Sequence, residues 1–375
     1  MSIIKKKNLA FIFTNGVSLK NWDEIGLFDR EVKYYNELSC HFNKIYFFTY
    51  GDQSEYKYRD KIAKNIILVP KMFKIPNLLY SVFLLFFNWD LFQKCDIIKT
   101  NQMRGAWSLF FMKLLNKKLI LRTGYTWSLF LKKEIHQNKP LIFVVRLIER
   151  ILYKLVNYSF VTSKEDKKYV KSSYLKNSNN QITLISNYID TDLFKPLING
   201  RKDELIYIGR LSPEKNLINL LKAVEKTRLC LTIVGDGILY EDLLNFSVNR
   251  NLSVSFIKHI ANEELPLKLN CFKYFILPSY HEGMPKVLLE AMSCGLCCFA
   301  TNVSGSRELI ENMKTGILIP DCSSLSISKS LSLIKKKQLP LEEISKQSRK
   351  YILENCSLKY TINKELNIYR SFFVD

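Results

Sequence analysis

Acidic residues are scarce in this 375-residue chain: 35 Asp and Glu stand against 56 Lys and Arg, for a net charge of +21. The shortage lies at the front, where residues 1–200 hold 32 basic and 16 acidic residues, against 24 and 19 in the remainder. Such a surplus suits an anionic partner: phospholipid, a phosphorylated acceptor or nucleic acid. It also suits plain solubility in a lysine-rich composition. The lysines form no module with stacking aromatics, so nucleic acid is not expected as a partner. No run of about 20 apolar residues, the length a bilayer span needs, is present. The stretch 79–88 is nearly all apolar but too short, and Asp90 and Lys94 close it. It reads as a buried helix or as an in-plane membrane contact. Lys5-Lys6-Lys7 before Leu9 to Phe13 has the charge pattern of a signal peptide, but its apolar part is too short and Thr14-Asn15-Gly16 reads as a strand end. A cytoplasmic chain, held at the inner face of the plasma membrane, is the expectation. Metal-ligand sets are missing too. Cys294-x-x-Cys297-Cys298 has no second Cys/His pair at ligand spacing, and the four His lie apart at 41, 136, 259 and 281. The nine Cys read as apolar filler in a reducing compartment. Neither an internal repeat nor a low-complexity tract occurs.

What is present is alternation. Short apolar runs at 9–13, 44–49, 65–69, 96–100, 118–122, 159–162 and 181–185 read as strands separated by longer, helix-length segments. A polar loop, Thr14 to Asp23, holds Gly16, and a helix is expected near Glu24 to Cys40. The segment from Ser186 to Pro196 is polar and reads as a linker. Then the alternation restarts, with strands at 204–208, 229–234, 253–257, 274–277, 296–300 and 317–319. Strands alternating with helices predict parallel sheets covered on both faces. The length suits two domains, 1–194 and 195–356. Two doubly wound units place ligands at the carboxyl ends of their strands; if the units face each other, the site is the cleft between them.

The stretch from Ser279 to Met292 organises the chain. Strand 274–277 feeds it. Pro285 predicts a helix starting at its own position, and Gly295 predicts the end. Gly283 lets a ligand approach the backbone, and a helix start offers unpaired N–H groups and a positive dipole end to an anion. Glu282 and Glu290 are eight residues apart, on the order of 12 Å along a helix axis. That is too far for a pair of carboxylates flanking one reacting bond. They fit a long ligand held at two points with an anionic group between, as in a nucleotide-sugar. They also fit a surface Glu before a helix and another on its face. Upstream, Gly209-Arg210-Leu211-Ser212-Pro213-Glu214-Lys215 follows a strand, so Arg210 and Lys215 can clamp a diphosphate, Arg210 bidentately and Lys215 as a point charge. An exposed basic loop is the other reading.

Glu282-x7-Glu290 followed by Ala291-Met292-Ser293-Cys294-Gly295, together with the Gly209, Arg210 and Lys215 positions, resembles the signature of the retaining GT-B glycosyltransferases of family 4. The resemblance implies two Rossmann-like domains facing across a cleft, with a C-terminal helix, 357–375, packing back on the first domain. It implies that Glu282 faces the donor sugar and Glu290 binds the ribose, with Gly16, Gly209, Gly235, Gly283, Met284, Pro285 and Lys286 lining the donor site. Arg210, Lys215 and the helix start would stabilise the leaving diphosphate. No metal or other cofactor is expected, and Asp190-Thr191-Asp192, formally a metal-binding Asp-x-Asp, sits in the linker. Gly235-Asp236-Gly237 lacks the third glycine of a dinucleotide fingerprint and resembles the family's glycine turn; Gly305-Ser306-Arg307-Glu308 resembles a structural turn.

One departure is clear. Relatives carry a His after the strand corresponding to 118–122, where this chain reads Arg122-Thr123-Gly124-Tyr125. Arg122 or Tyr125 is expected to serve the acceptor side instead. The sequence thus predicts transfer of a sugar from a UDP- or GDP-linked donor to a hydroxyl of a glycan or lipid-linked glycan, with retention and without metal. The expected setting is surface polysaccharide assembly (lipopolysaccharide, O-antigen or capsule) on an anionic membrane. A protein of this fold that binds nucleotide or glycan without turnover is the alternative.

Overall fold

The computed structural model describes residues 3–134, 139–176, 178, 180–197 and 200–374. Within it the chain divides into two compact units, one of residues 1–185 with 362–375 and one of residues 186–361. The segment 186–194, read from the sequence as the end of the first domain, packs with the second unit. Ile189 and Phe194 are buried in that unit's core, and Ile189 donates its N–H to the Cys356 carbonyl.

The first unit is built on a sheet of seven parallel strands: β1 (Asn8–Ile12), β2 (Lys44–Phe48), β3 (Ile66–Val69), β4 (Ile97–Thr100), β5 (Lys118–Thr123), β6 (Tyr158–Val161) and β7 (Gln181–Leu184). Their spatial order is β3-β2-β1-β4-β5-β6-β7. The second unit has six parallel strands: β8 (Lys202–Ile208), β9 (Leu231–Val234), β10 (Val254–Ile257), β11 (Phe272–Leu277), β12 (Cys297–Thr301) and β13 (Ile317–Ile319), in the order β10-β9-β8-β11-β12-β13. Several central strands are buried along their whole length, β12 among them. That burial needs helices on both faces, and it explains why the strands read as unbroken apolar runs. Every predicted strand is present, each within two residues of its expected ends.

Helices depart more. The polar loop expected over Thr14 to Asp23 contains a helix, Leu19–Glu24, started by a reciprocal Ser18–Asn21 capping box. The single helix expected near Glu24 to Cys40 is broken at Gly26, which has φ +67°, and resumes as Phe28–Ser39. Pro285 is the residue preceding the Lys286–Ser293 helix, in extended geometry, so the helix begins one position later than expected. At the other end of that helix Gly295 has φ +75°. The Gly295 and Leu296 N–H groups return to the Met292 and Ala291 carbonyls, which is a Schellman closure.

Candidate active site

The order in which strands are added reverses in the second sheet between β8 and β11, which are parallel neighbours although β9 and β10 intervene in sequence. Crevices outside the carboxyl ends of strands open at such a point. The loops leaving β8 and β11 are the two singled out from the sequence. Two sets of contacts hold them. First, Gly209 donates to the Val234 carbonyl and Leu211 to the Asp236 carbonyl, tying the loop to the glycine turn after β9. A Cβ on Gly235 would lie 1.9 Å from the Gly209 oxygen, so only glycine fits. Gly209 in turn leaves space for the Tyr207 hydroxyl, which donates to the Arg210 carbonyl at 3.0 Å. Second, buried Asn216 adopts the left-handed conformation and donates to the Pro278 and Cys322 carbonyls at 3.0 and 2.8 Å. Tyr280 donates its N–H to the Glu214 carbonyl.

These clamps bring Lys215 to Glu282. Lys215 Nζ lies 2.7 Å from Glu282 Oε1, and the Ser279 hydroxyl donates to the same oxygen at 2.6 Å. The other oxygen, Oε2, takes no hydrogen bond among the described residues. Both side chains are mostly shielded, 21% and 11% exposed, so the pair is stronger than a surface bridge. Arg210 is exposed on the same loop. The Ser212 hydroxyl, which donates to Glu214 at 2.6 Å, holds the Glu214 carboxyl below the usual range, with smaller help from the Lys215 and Arg210 charges.

The Lys286–Ser293 helix follows directly from Glu282. Its buried face is Leu288, Leu289, Ala291 and Met292, while Lys286 and Glu290 remain partly accessible. Its far end is tightly held. Arg201 donates to the Cys294 and Gly295 carbonyls at 2.7 and 2.9 Å, and Arg349 to the Ser293 carbonyl at 2.8 Å. Two guanidinium groups thus satisfy the helix's last carbonyls and complement its dipole. Met284 is pinned by Asn187, whose side chain donates to the Met284 carbonyl at 3.1 Å. Gly283 is exposed, and a Cβ there would meet nothing within 4 Å. Gly305 is the opposite case: it donates its N–H to the Glu282 carbonyl, and a Cβ there would sit 2.3 Å from the Gly283 oxygen.

In the first unit the order of strand addition reverses between β1 and β4. Gly16, φ +79°, lies in the loop leaving β1, and its neighbour Asn15 donates its N–H to the Arg104 carbonyl in the loop leaving β4. Arg122 bonds the Asn101 carbonyl and side chain at 3.3 and 3.1 Å. Its charge sits in the field of Glu31 and Glu365. Tyr125 is exposed beyond the end of β5. A cavity of about 710 Å³ opens at the ends of β2 and β3, lined by Tyr50, Asp52, Lys71 and Phe73 among others, and by none of the residues nominated from the sequence.

Other sequence candidates have structural occupations. Asp190 accepts the N–H groups of Asp192 and Leu193 and so closes its own turn. Burial pushes the Cys294 and Cys297 thiols up to about 12 and the Cys298 thiol up as well. Among the described residues no group of three or more His, Cys, Asp or Glu could hold a metal ion. His281 is exposed, and His136 lies outside the described residues. Tyr207, Asn216, Ser279, Arg201 and Arg349 were not singled out from the sequence. Asn216 alone carried a local signal, an Asn between a turn and a helix.

Residues 189–351 match the family model of glycosyl transferases group 1. That match spans most of the second unit and none of the first 185 residues. Among curated relatives, an Escherichia coli UDP-Gal:α-D-GlcNAc-diphosphoundecaprenol α-1,3-galactosyltransferase is 26% identical over 76% of this chain and 77% of its own length. The Escherichia coli O-antigen chain mannosyltransferase B is 28% identical over 42% of this chain and 44% of its own. Among solved structures, a Rickettsia africae glycosyltransferase gives a TM-score of 0.74 at 18% identity, covering 99% of both chains. Anabaena Alr3699/HepE in complex with UDP and glucose gives 0.69 at 15% identity, covering 98% of this chain and 100% of its own. These likenesses show the fold, two Rossmann-like α/β units of GT-B architecture.

Proposed function

We propose that this chain is a retaining glycosyltransferase that moves a hexose from a UDP- or GDP-linked donor to a hydroxyl of a lipid-linked glycan during surface polysaccharide assembly. The observation that carries the reading is the Lys215–Glu282 ion pair at the reversal point of the second sheet, beside the start of the Lys286–Ser293 helix. Lys215 and exposed Arg210 supply positive charge where a diphosphate would sit, and the helix start adds N–H donors. Glu282 keeps Lys215 aimed before the donor binds. When the donor binds, Lys215 turns to the diphosphate, and Glu282 Oε2 accepts from a sugar hydroxyl. Glu290, one helix face further, takes the ribose hydroxyls. The leaving diphosphate is neutralised by these fixed cations and amides, so a divalent ion is not required. In this reading retention comes from same-face attack, with the leaving phosphate accepting the acceptor proton. The similarity to a diphosphoundecaprenol-directed galactosyltransferase supports a lipid-linked acceptor, and UDP held by a protein of the same fold supports the donor class.

The test is nucleotide release with UDP- and GDP-sugars over a panel of lipid diphosphate acceptors. Lys215→Ala and Glu282→Gln should each lower kcat by roughly 10²–10³-fold, the scale of losing one aimed electrostatic group. Near-wild-type turnover by both variants would overturn the assignment. Loss of activity on chelation, restored by magnesium or manganese, would overturn the metal-free step.

A further inference from the structure

The first unit leaves two helical faces apolar and open to solvent. In the helix Asn77–Phe87, which carries no charged residue, Tyr80, Ser81, Leu84 and Leu85 face the core. Leu79, Phe83 and Phe86 form an exposed row at i, i+4 and i+7. In the helix Lys139–Leu155, Val145, Glu149, Leu152 and Tyr153 are buried. On its other side Val144, Leu147 and Ile151 make a second exposed row, beside Phe143, which is 69% exposed. Arg146, Arg150 and Lys154 run alongside that row, all exposed. The two helices share a neighbourhood. Both pack against the Ala106–Ser108 turn, and Phe86 meets Phe111 edge-on at 5.5 Å, in the segment Leu109–Met112 that packs against Lys139–Leu155.

A single exposed Leu or Phe is ordinary; contiguous rows on adjacent helices mark a docking surface. The charge around them selects the occupant. Between residues 77 and 163, the span that holds both helices, the chain has 13 Lys and Arg against four acids, Asp90, Asp96, Glu134 and Glu149. Glu149 is buried and occupied by the Ser128 N–H and the Tyr174 hydroxyl. An apolar surface set in an excess of positive charge is complementary to a bilayer with anionic headgroups. None of the described helices is long and apolar enough to cross a membrane. The Lys139–Leu155 helix, about 25 Å long by its rise per residue, has the one-sided charge of a helix that lies in the plane of a bilayer.

We propose that the first unit docks on an anionic bilayer through these two helices. Phe83, Phe86, Phe143 and Leu147 enter the boundary between headgroups and acyl chains, and Arg146, Arg150 and Lys154 meet the lipid phosphates. This deepens the lipid-linked acceptor reading and rests on it only for its purpose, since docking does not require turnover.

The test is flotation of the full chain with phosphatidylcholine vesicles, with and without roughly one-third phosphatidylglycerol. The protein should float with the anionic vesicles, less so as salt rises, and poorly with phosphatidylcholine alone. Phe143→Ser with Leu147→Ser should lower partitioning about tenfold or more, while the melting temperature and its rise on adding UDP stay as in the wild type. Arg146→Gln with Arg150→Gln should remove most of the preference for the anionic vesicles. Absence of wild-type flotation on either vesicle would overturn the proposal, as would equal flotation of the Phe143/Leu147 variant. So would a concentration-dependent wild-type dimer that this variant abolishes, which would assign the face to a second copy. A protein that keeps its UDP response but does not float loses the docking surface alone. One that floats but ignores nucleotide loses the catalytic reading alone.

Discussion

Gly305 and Gly283 meet at one stretch of backbone and answer opposite questions. At Gly305 an added methyl would press on the Gly283 oxygen at 2.3 Å and on the Glu282 oxygen at 2.8 Å, both main-chain atoms that cannot rotate away. Gly305→Ala should therefore push the 282–283 segment and cost about 1–3 kcal/mol, as overpacking does. Lower melting temperature and lost turnover should appear together. At Gly283 a methyl meets nothing of the protein within 4 Å. Gly283→Ala should leave the melting temperature within a degree or so of wild type, a surface-substitution effect. If the donor's diphosphate lies against this backbone, KM for the nucleotide-sugar should still rise several-fold. A rise in KM without loss of stability is the signature of a ligand-facing glycine. Unchanged KM would move the diphosphate elsewhere.

At the scale of elements, strands were legible and their neighbours were not. Each strand is an apolar run bounded by polar residues, because burial on both faces removes any alternation. That β8 lies between β9 and β11 is a matter of crossover connections, which leave no local mark. The Lys215–Glu282 contact depends on that order, so the loops could be nominated from sequence but not joined. The unit boundary was misplaced because residues 186–194 are polar by count, yet Ile189 and Phe194 carry them into the second core. Another contact invisible in the sequence ties the C-terminal segment into the first unit. Lys99 Nζ and Glu365 Oε2 are 2.7 Å apart and essentially fully buried, and the Tyr369 hydroxyl donates to the same carboxylate at 2.5 Å. Burial opposes the charge on Glu365, but Lys99 outweighs it and holds the carboxyl below its usual range. A carboxyl depressed on folding contributes stability above its unfolded pKa, and that contribution is lost as pH falls through the folded value. Wild-type urea midpoints should therefore drop on acidification below about pH 4, and Glu365→Gln should lack that part of the drop. At neutral pH Glu365→Gln should cost about 3–5 kcal/mol, because Lys99 is left buried and unpaired. Lys99→Met combined with Glu365→Leu should recover most of that loss. A double variant as unstable as Glu365→Gln alone would show that packing, not charge, is what the pair supplies.

At the scale of the whole molecule, the proposed function puts nucleotide binding in one unit, and amide exchange should report it. Every protein group proposed to touch the diphosphate or ribose, except Gly16, lies in the unit 186–361. The surplus of basic residues lies in the other, with 33 basic against 16 acidic residues over 1–185 and 362–375. A ligand stabilises the segments whose opening would release it. Hydrogen exchange with UDP at saturation should accordingly slow most at amides of 209–215, 235–239 and 280–287, the loops clamped around Lys215 and Glu282. By contrast the β2 and β3 ends around the 710 Å³ cavity should change little, because none of the proposed donor-site residues line it. Lys215→Ala should reduce the protection in all three loops together, since one ion pair joins the first to the third and the glycine turn is bonded to the first. Protection centred on residues 50–54 and 71–74 instead would place the nucleotide in the first unit's cavity. The Lys215–Glu282 pair would then be a brace between loops rather than the grip on a diphosphate.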